Sequence, residues 1–140
     1  MKFMVVVKAT KDSEAWVMPS TERLAAMGKF NEEMANAGVI KAGEGLHPTS
    51  RGARIKYAGD GQAAAVSKGP FPLSGDLIGG FWLIETRSLE EAIGWMKRAP
   101  FAPGDEIDIR QVLTAEDFGE ALTPELRERE ERLRARVEAQ

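Results

Sequence analysis

The sequence predicts an α+β domain of the ferredoxin-like, split βαβ kind, with a β-hairpin inserted in its middle and a helix added at its C-terminus. Three observations carry that prediction. The apolar pattern alternates between strand and helix periods in the order strand, helix, strands, strand, helix, strand. Ser67-Lys68-Gly69-Pro70-Phe71, Gly79-Gly80-Phe81-Trp82-Leu83-Ile84 and Ser88-Leu89-Glu90-Glu91-Ala92 read as loop, buried strand and helix start. In the last of these, Ser88 and Glu91 stand at capping-box spacing.

Lys2 to Val7 is the first predicted strand, apolar on both faces (Phe3, Val5 and Val7; Met4 and Val6) and therefore central. Lys8 to Pro19 reads as an irregular loop carrying Trp16 and Met18. From Ser20 or Thr21, Leu24, Met27, Phe30, Met34 and Ala37 recur at helical spacing until Gly38 supplies a stop. Val39 to Leu46 is the second strand. His47 to Gly52 is rich in turn residues, and Arg54 to Tyr57 alternates polar with apolar, as a strand with one wet face does. Gly59-Asp60-Gly61 then signals a tight hairpin that brings Gln62 to Val66 back antiparallel.

Gly80 to Glu85 is the buried strand, and Leu89 to about Arg98 a helix with Leu89, Ala92, Ile93 and Met96 on one face, ended by Pro100 and Pro103. Ile107, Ile109 and Val112 form the last strand. Thr123 and Pro124 begin a charged helix in which Glu125/Arg129, Glu128/Arg132 and Glu130/Arg134 lie four apart, with a narrow stripe of Leu122, Leu126, Leu133 and Val137. Its charge alternation suits a solvated helix, or an arm for a partner. The division expected is residues 1–116 as the ferredoxin-like domain and 117–140 as the helical extension. Helices should cover one sheet face, leaving the second apolar face for another copy of the chain.

Composition narrows the function. The 140 residues suit one domain, and 43% hydrophobic with 29% charged residues is ordinary for a folded globular chain. No apolar run is long enough for a bilayer, and a net charge of -3 lacks the basic field of a nucleic-acid binder. The absence of cysteine excludes disulfides, thiolate catalysis and cysteine-ligated zinc, and fits a cytoplasmic location. No metal and no cofactor are expected, since a single histidine gives too few ligands. The glycines at 43, 45, 79 and 80 do not follow the spacing of a phosphate-binding loop.

The candidate site residues are few. His47, the only histidine, sits in a turn after a strand end, where it could serve as general acid or base or be a plain turn residue. Glu44 lies between Gly43 and Gly45, whose missing side chains leave room for a ligand or for an aromatic ring of a second subunit. Lys68 and Arg110 are the cations of interest, and Arg110 suits either an anionic ligand or a salt bridge to Glu85 or Asp76. Trp16, Phe71, Phe81, Trp82 and Trp95 supply aromatic surface for a core or a pocket.

Gly69-Pro70-Phe71, Gly79-Gly80-Phe81, Ser88-Leu89-Glu90-Glu91-Ala92 and Ile109-Arg110-Gln111-Val112, with Ala37-Gly38 and Gly45-Leu46, together resemble the YCII-related superfamily and within it the DGPF-domain branch. The resemblance runs from Lys2 to about Val112. It implies a dimeric ferredoxin-like α/β barrel, with two sheets face to face around a pocket. The ligand-binding candidates are Glu44, Lys68, Phe71, Asp76 and Arg110, of which Arg110 matches the family's Arg on the last strand and Asp76 keeps a family acid. The resemblance also implies an association of some DGPF proteins with extracytoplasmic-function sigma factors. The chain departs from the branch where Lys68 replaces the usual Asp and Pro72, Leu73, Ser74 and Gly75 replace charged residues. The histidine of the YCII branch's first helix has no counterpart between Thr21 and Ala37. The leading expectation is a homodimer binding a small organic molecule, anionic or aromatic, with His47 as a base if the protein is an enzyme. The alternative is a non-catalytic regulatory or interaction protein.

Overall fold

The computed structural model describes residues 1–74 and 76–140, so Gly75 and its departure from the branch pattern lie outside the described residues. Six strands and four α-helices follow in the order β1 (Lys2–Lys8), α1 (Lys11–Glu14), α2 (Thr21–Asn36), β2 (Ile40–Gly45), β3 (Ala53–Lys56), β4 (Ala65–Lys68), β5 (Ile78–Glu85), α3 (Leu89–Met96), β6 (Ile107–Gln111) and α4 (Pro124–Glu138). Strands β2, β5, β1 and β6 form one sheet in that spatial order, every pair antiparallel. Leaving aside the inserted hairpin, this is the split βαβ arrangement the sequence predicts.

Local rules account for the helix starts. Ser20 accepts a hydrogen bond from the Arg23 amide and Ser88 one from the Glu91 amide, satisfying amides that have no partner within the helix. The Glu91 carboxylate completes its box on the Arg87 amide rather than on Ser88. Gly38, with φ of 72°, turns the chain after α2 in a backbone region that favours glycine.

Register explains the core. Phe3 pairs with Ile84 and Val5 with Trp82, and on the other side of β1 Val5 pairs with Ile109. Those side chains share the sheet face covered by Phe30 and Met34 of α2 and Ala92 and Met96 of α3, and all but Ile109 are buried. Leu89 and Ile93, predicted for the same face of α3, are largely exposed. At about 3.6 residues per turn, Leu89 and Ile93 fall to one side of the line through Ala92 and Met96 that meets the sheet.

The opposite face carries Met4, Val6, Phe81 and Leu83, flanked by Arg110, Asp108, Lys8 and Glu44. No helix covers it, and Met4 is exposed while Val6, Phe81 and Leu83 are half-buried.

Several local expectations are corrected. The segment before α2 is not wholly irregular, because Thr10 and Ser13 cap each other reciprocally and close the one-turn α1. Strand β4 begins at Ala65 rather than near Gln62 and includes Lys68, so Gly59-Asp60-Gly61 lies inside an eight-residue connection from Tyr57 to Ala64. Among the described residues strands β3 and β4 pair only with each other, so the hairpin forms a second small sheet beside the four-stranded one. Of the three ion pairs expected along α4, only Glu128 with Arg132 is made, at 3.2 Å, while Arg127 turns to Glu116 at 2.6 Å.

Candidate functional site

A cleft of about 470 Å³ opens on the helix-covered face, at the end of the sheet where β1 and β2 finish and β5 begins. Gly43, Gly45, Gly79 and Gly80 give it a floor of bare backbone, and Met27, Trp82 and Phe101 are among its apolar walls. Pairing builds that floor, since Gly45 lies opposite Gly80 and Gly43 opposite Trp82. The glycines serve different ends. A Cβ on Gly43 would come within 2.7 Å of Trp82 Cδ1, whereas a Cβ on Gly45 would meet nothing within 4 Å.

Trp82 is therefore seated against Gly43, and its Nε1 donates to Asn31 Oδ1 at 2.9 Å. Phe30 and Phe101 meet the indole edge-on, with centroids 6.0 and 5.9 Å away. Gly43 does admit an aromatic ring, but the ring belongs to this chain's own β5 and not to a second subunit. Asn31 is the polar side chain in the apolar wall, whereas Glu44, paired with Phe81, borders the cleft through its backbone and carries its side chain on the opposite sheet face. The cleft is thus poor in positive charge.

Beside it, two residues beyond Gly45, His47 is exposed and stacked against Trp16 with centroids 4.7 Å apart. Trp16 holds φ of 59°, a left-handed conformation that bulky residues rarely adopt, and this presents its indole to the imidazole. Arg51 Nη1 lies 3.2 Å from His47 Nε2. A neighbouring network fixes the loop of Phe71. Thr49 donates its amide and hydroxyl to the Glu14 carboxylate, and the same hydroxyl accepts from the Phe71 amide at 2.9 Å. Arg54 then covers the Phe71 ring at 4.0 Å.

The remaining sequence candidates separate. Glu44 borders the cleft only through its backbone, His47 lies in the turn two residues beyond Gly45, and Phe71 belongs to the Thr49 network. Lys68 is exposed on β4. Asp76 pairs with Lys8 at 2.9 Å, and Glu85 with Lys41 at 3.7 Å, so neither forms the salt bridge expected for Arg110. Asp76, with Asp108 also within 3.1 Å, holds the Lys8 ammonium above its ordinary pKa. Arg110 stands opposite Met4 on the uncovered sheet face, away from the cleft.

Residues that sequence reasoning did not bring to this site are Asn31, Met27 and Phe101. Met27 was assigned simply to the helix stripe, and only tertiary packing turns it toward the glycine floor. Among the described residues no group of His, Asp and Glu gathers as a metal site, and no helix is long and apolar enough to cross a membrane.

The sheet order and its two covering helices define a ferredoxin-like α+β protein. Its chain belongs to the YCII-related family, whose YCII-related domain matches residues 1–116. A solved structure similar to it is that of 5-chloro-2-hydroxyhydroquinone dehydrochlorinase from Burkholderia phenoliruptrix AC1100, in complex with 2,5-dihydroxybenzoquinone. The two share 17% identity and a TM-score of 0.43, over 84% of this chain and 98% of that one. A search of curated proteins finds no match.

Proposed function

We propose that this protein binds a small, neutral, largely aromatic organic molecule in the glycine-floored cleft, as a cytoplasmic homodimer of the DGPF-like branch. The observation that carries the reading is the open volume above Gly45, framed by Trp82, Phe101 and Met27. Its size falls within the roughly 300–1,000 Å³ of ordinary ligand pockets. Among the described residues no cationic side chain lines the cleft, so nothing there pairs with an anionic ligand and a neutral molecule is favoured. Neither candidate for acid-base chemistry faces the cleft, since the Glu44 side chain lies on the opposite sheet face and His47 stands outside the lining. The function stated is therefore binding.

Gly45→Val tests it. The new side chain enters empty space, so the fold should persist while the cleft fills. Thermal-shift and calorimetric titrations with phenols, anilines and the matching benzoates should show the neutral compounds binding the natural protein and none binding Gly45→Val. Undiminished binding by the variant would move the ligand elsewhere.

Homodimerisation would place the Met4, Val6, Phe81 and Leu83 strip of one chain on that of another, with the mixed charges of Lys8, Asp108, Arg110 and Glu44 at the rim. Sedimentation should give a dimer for the natural chain and a monomer for Leu83→Glu. A natural chain that sediments as a monomer at all concentrations would remove this part of the proposal. The second reading, a regulatory protein contacting a partner such as an extracytoplasmic-function sigma factor, draws on the exposed apolar residues of α4.

A further inference from the structure

Helix α4 presents the wrong face to its own body. It makes no more than marginal contact with any strand or other helix, and a cavity of about 640 Å³ separates it from the sheet end. The α4 side chains that line that cavity are Arg127, Glu130, Glu131 and Arg134, all charged. Its apolar residues Leu126, Leu133 and Val137 are 46%, 48% and 59% exposed, about a quarter turn round the helix from the charged group. A helix that docked on its own domain would bury those three and expose the charges. The stripe therefore awaits another surface.

Its symmetry indicates which. Leu126 and Leu133 are equidistant from the midpoint between Arg129 and Glu130. The helix is also polar in charge. Glu125, Glu128, Glu130 and Glu131 outnumber Arg127 and Arg129 in its first half, while Arg132, Arg134 and Arg136 outnumber Glu138 in its second. Two such helices running antiparallel about a two-fold axis would set Leu126 against the other Leu133. Acidic half would meet basic half, with Arg129 facing Glu130 at the centre. A parallel pair would oppose like charges instead.

We infer that α4 is a self-association arm, which pairs antiparallel with α4 of a second copy of this chain through Leu126, Leu133 and Val137. The surface is distinct from the uncovered sheet face, so this contact stands or falls independently of the ligand-binding reading and of a sheet-to-sheet dimer. One pair of 15-residue helices buries less than the ~1,200 Å² of a typical stable interface, so the association is expected to depend on concentration and salt.

The chain's lack of cysteine allows a direct test with the full-length protein. Leu126→Cys and Leu133→Cys, both at exposed positions, are oxidised separately and as an equimolar mixture at high protein concentration. Antiparallel pairing predicts that the mixed disulfide forms about tenfold faster than either same-position product, because only that pair lies within disulfide reach. Glu128→Cys, on the opposite side of the helix, should cross-link only at the background rate. Excess same-position product, equal reactivity of Glu128→Cys, or no stripe-dependent product would overturn the inference, the last assigning the stripe to a foreign protein. Should a cysteine variant misfold by circular dichroism, Arg136→Glu replaces it. That variant keeps the stripe and is expected to weaken self-association at low salt but not at high salt, and an unchanged association at low salt would count against pairing.

Discussion

Gly43→Ala is expected to lower stability, although the same exchange in most strands raises it. Alanine in place of glycine ordinarily stabilises by roughly 0.4–1 kcal/mol through loss of unfolded-state freedom. At position 43 the added methyl falls 2.7 Å from Trp82 Cδ1. The ring cannot retreat easily, because Asn31 holds its Nε1 and Phe30 and Phe101 pack against it. Overpacking of this kind costs about 1–3 kcal/mol, and loss of the hydrogen bond about 1 more. Gly45→Ala, two residues along the same strand with open space at its Cβ, should be neutral or slightly stabilising. Urea denaturation of the two variants beside the natural protein measures the contrast. Equal midpoints would mean that Trp82 is not seated as described, and the cleft would lose its wall.

Ile84→Ala should have the largest effect of any single truncation considered for the sheet. Ile84 is 0% exposed and pairs with both Phe3 of β1 and Ile40 of β2, so it joins three strands under the helices. Removing a buried isoleucine down to alanine costs about 2–5 kcal/mol, a large share of the roughly 5–15 kcal/mol that holds a domain folded. The expected readout is a fall in the urea midpoint with an unchanged slope, since the loss is a cavity and not a change in the surface exposed on unfolding. A fall below about 1 kcal/mol would require the strands to close around the gap.

The elements themselves were legible because their signals act over three or four residues. Ser20 and Ser88 marked helix starts, Gly38 a helix end, and the apolar pattern of Phe3 to Val7 a central strand. The hairpin was misjudged for the complementary reason. Gly59-Asp60-Gly61 offers a turn, but where β4 begins depends on pairing Ala53 with Lys68 across the connection, which no short window contains. Thr10 and Ser13 did contain a local cap, and that signal was missed because the surrounding residues show no helical apolar period.

The candidate site was half legible. Glu44, Gly43 and Gly45 stood out together, and the reading of the glycines as a place of close approach matches the contact with Trp82. His47 and Phe71 were named without the partners that place them, Trp16 and Thr49, which come from distant parts of the chain. Arg110 and Asp76 looked like possible partners until pairing set Arg110 opposite Met4 and Asp76 beside Lys8.

The residues alone show the strands of the main sheet, the helices α2, α3 and α4 with their N-caps, and the two apolar faces of the sheet. They also show the leucine stripe and charge polarity of α4, both properties of one continuous segment. Only packing sets Trp82 on Gly43, brings Gly45 and Gly80 together to open a cleft, and leaves the stripe of α4 about a quarter turn from the charged side that meets its own body. Those outcomes rest on register and on contacts between distant residues, whose energies depend on how segments meet and not on the composition of either one.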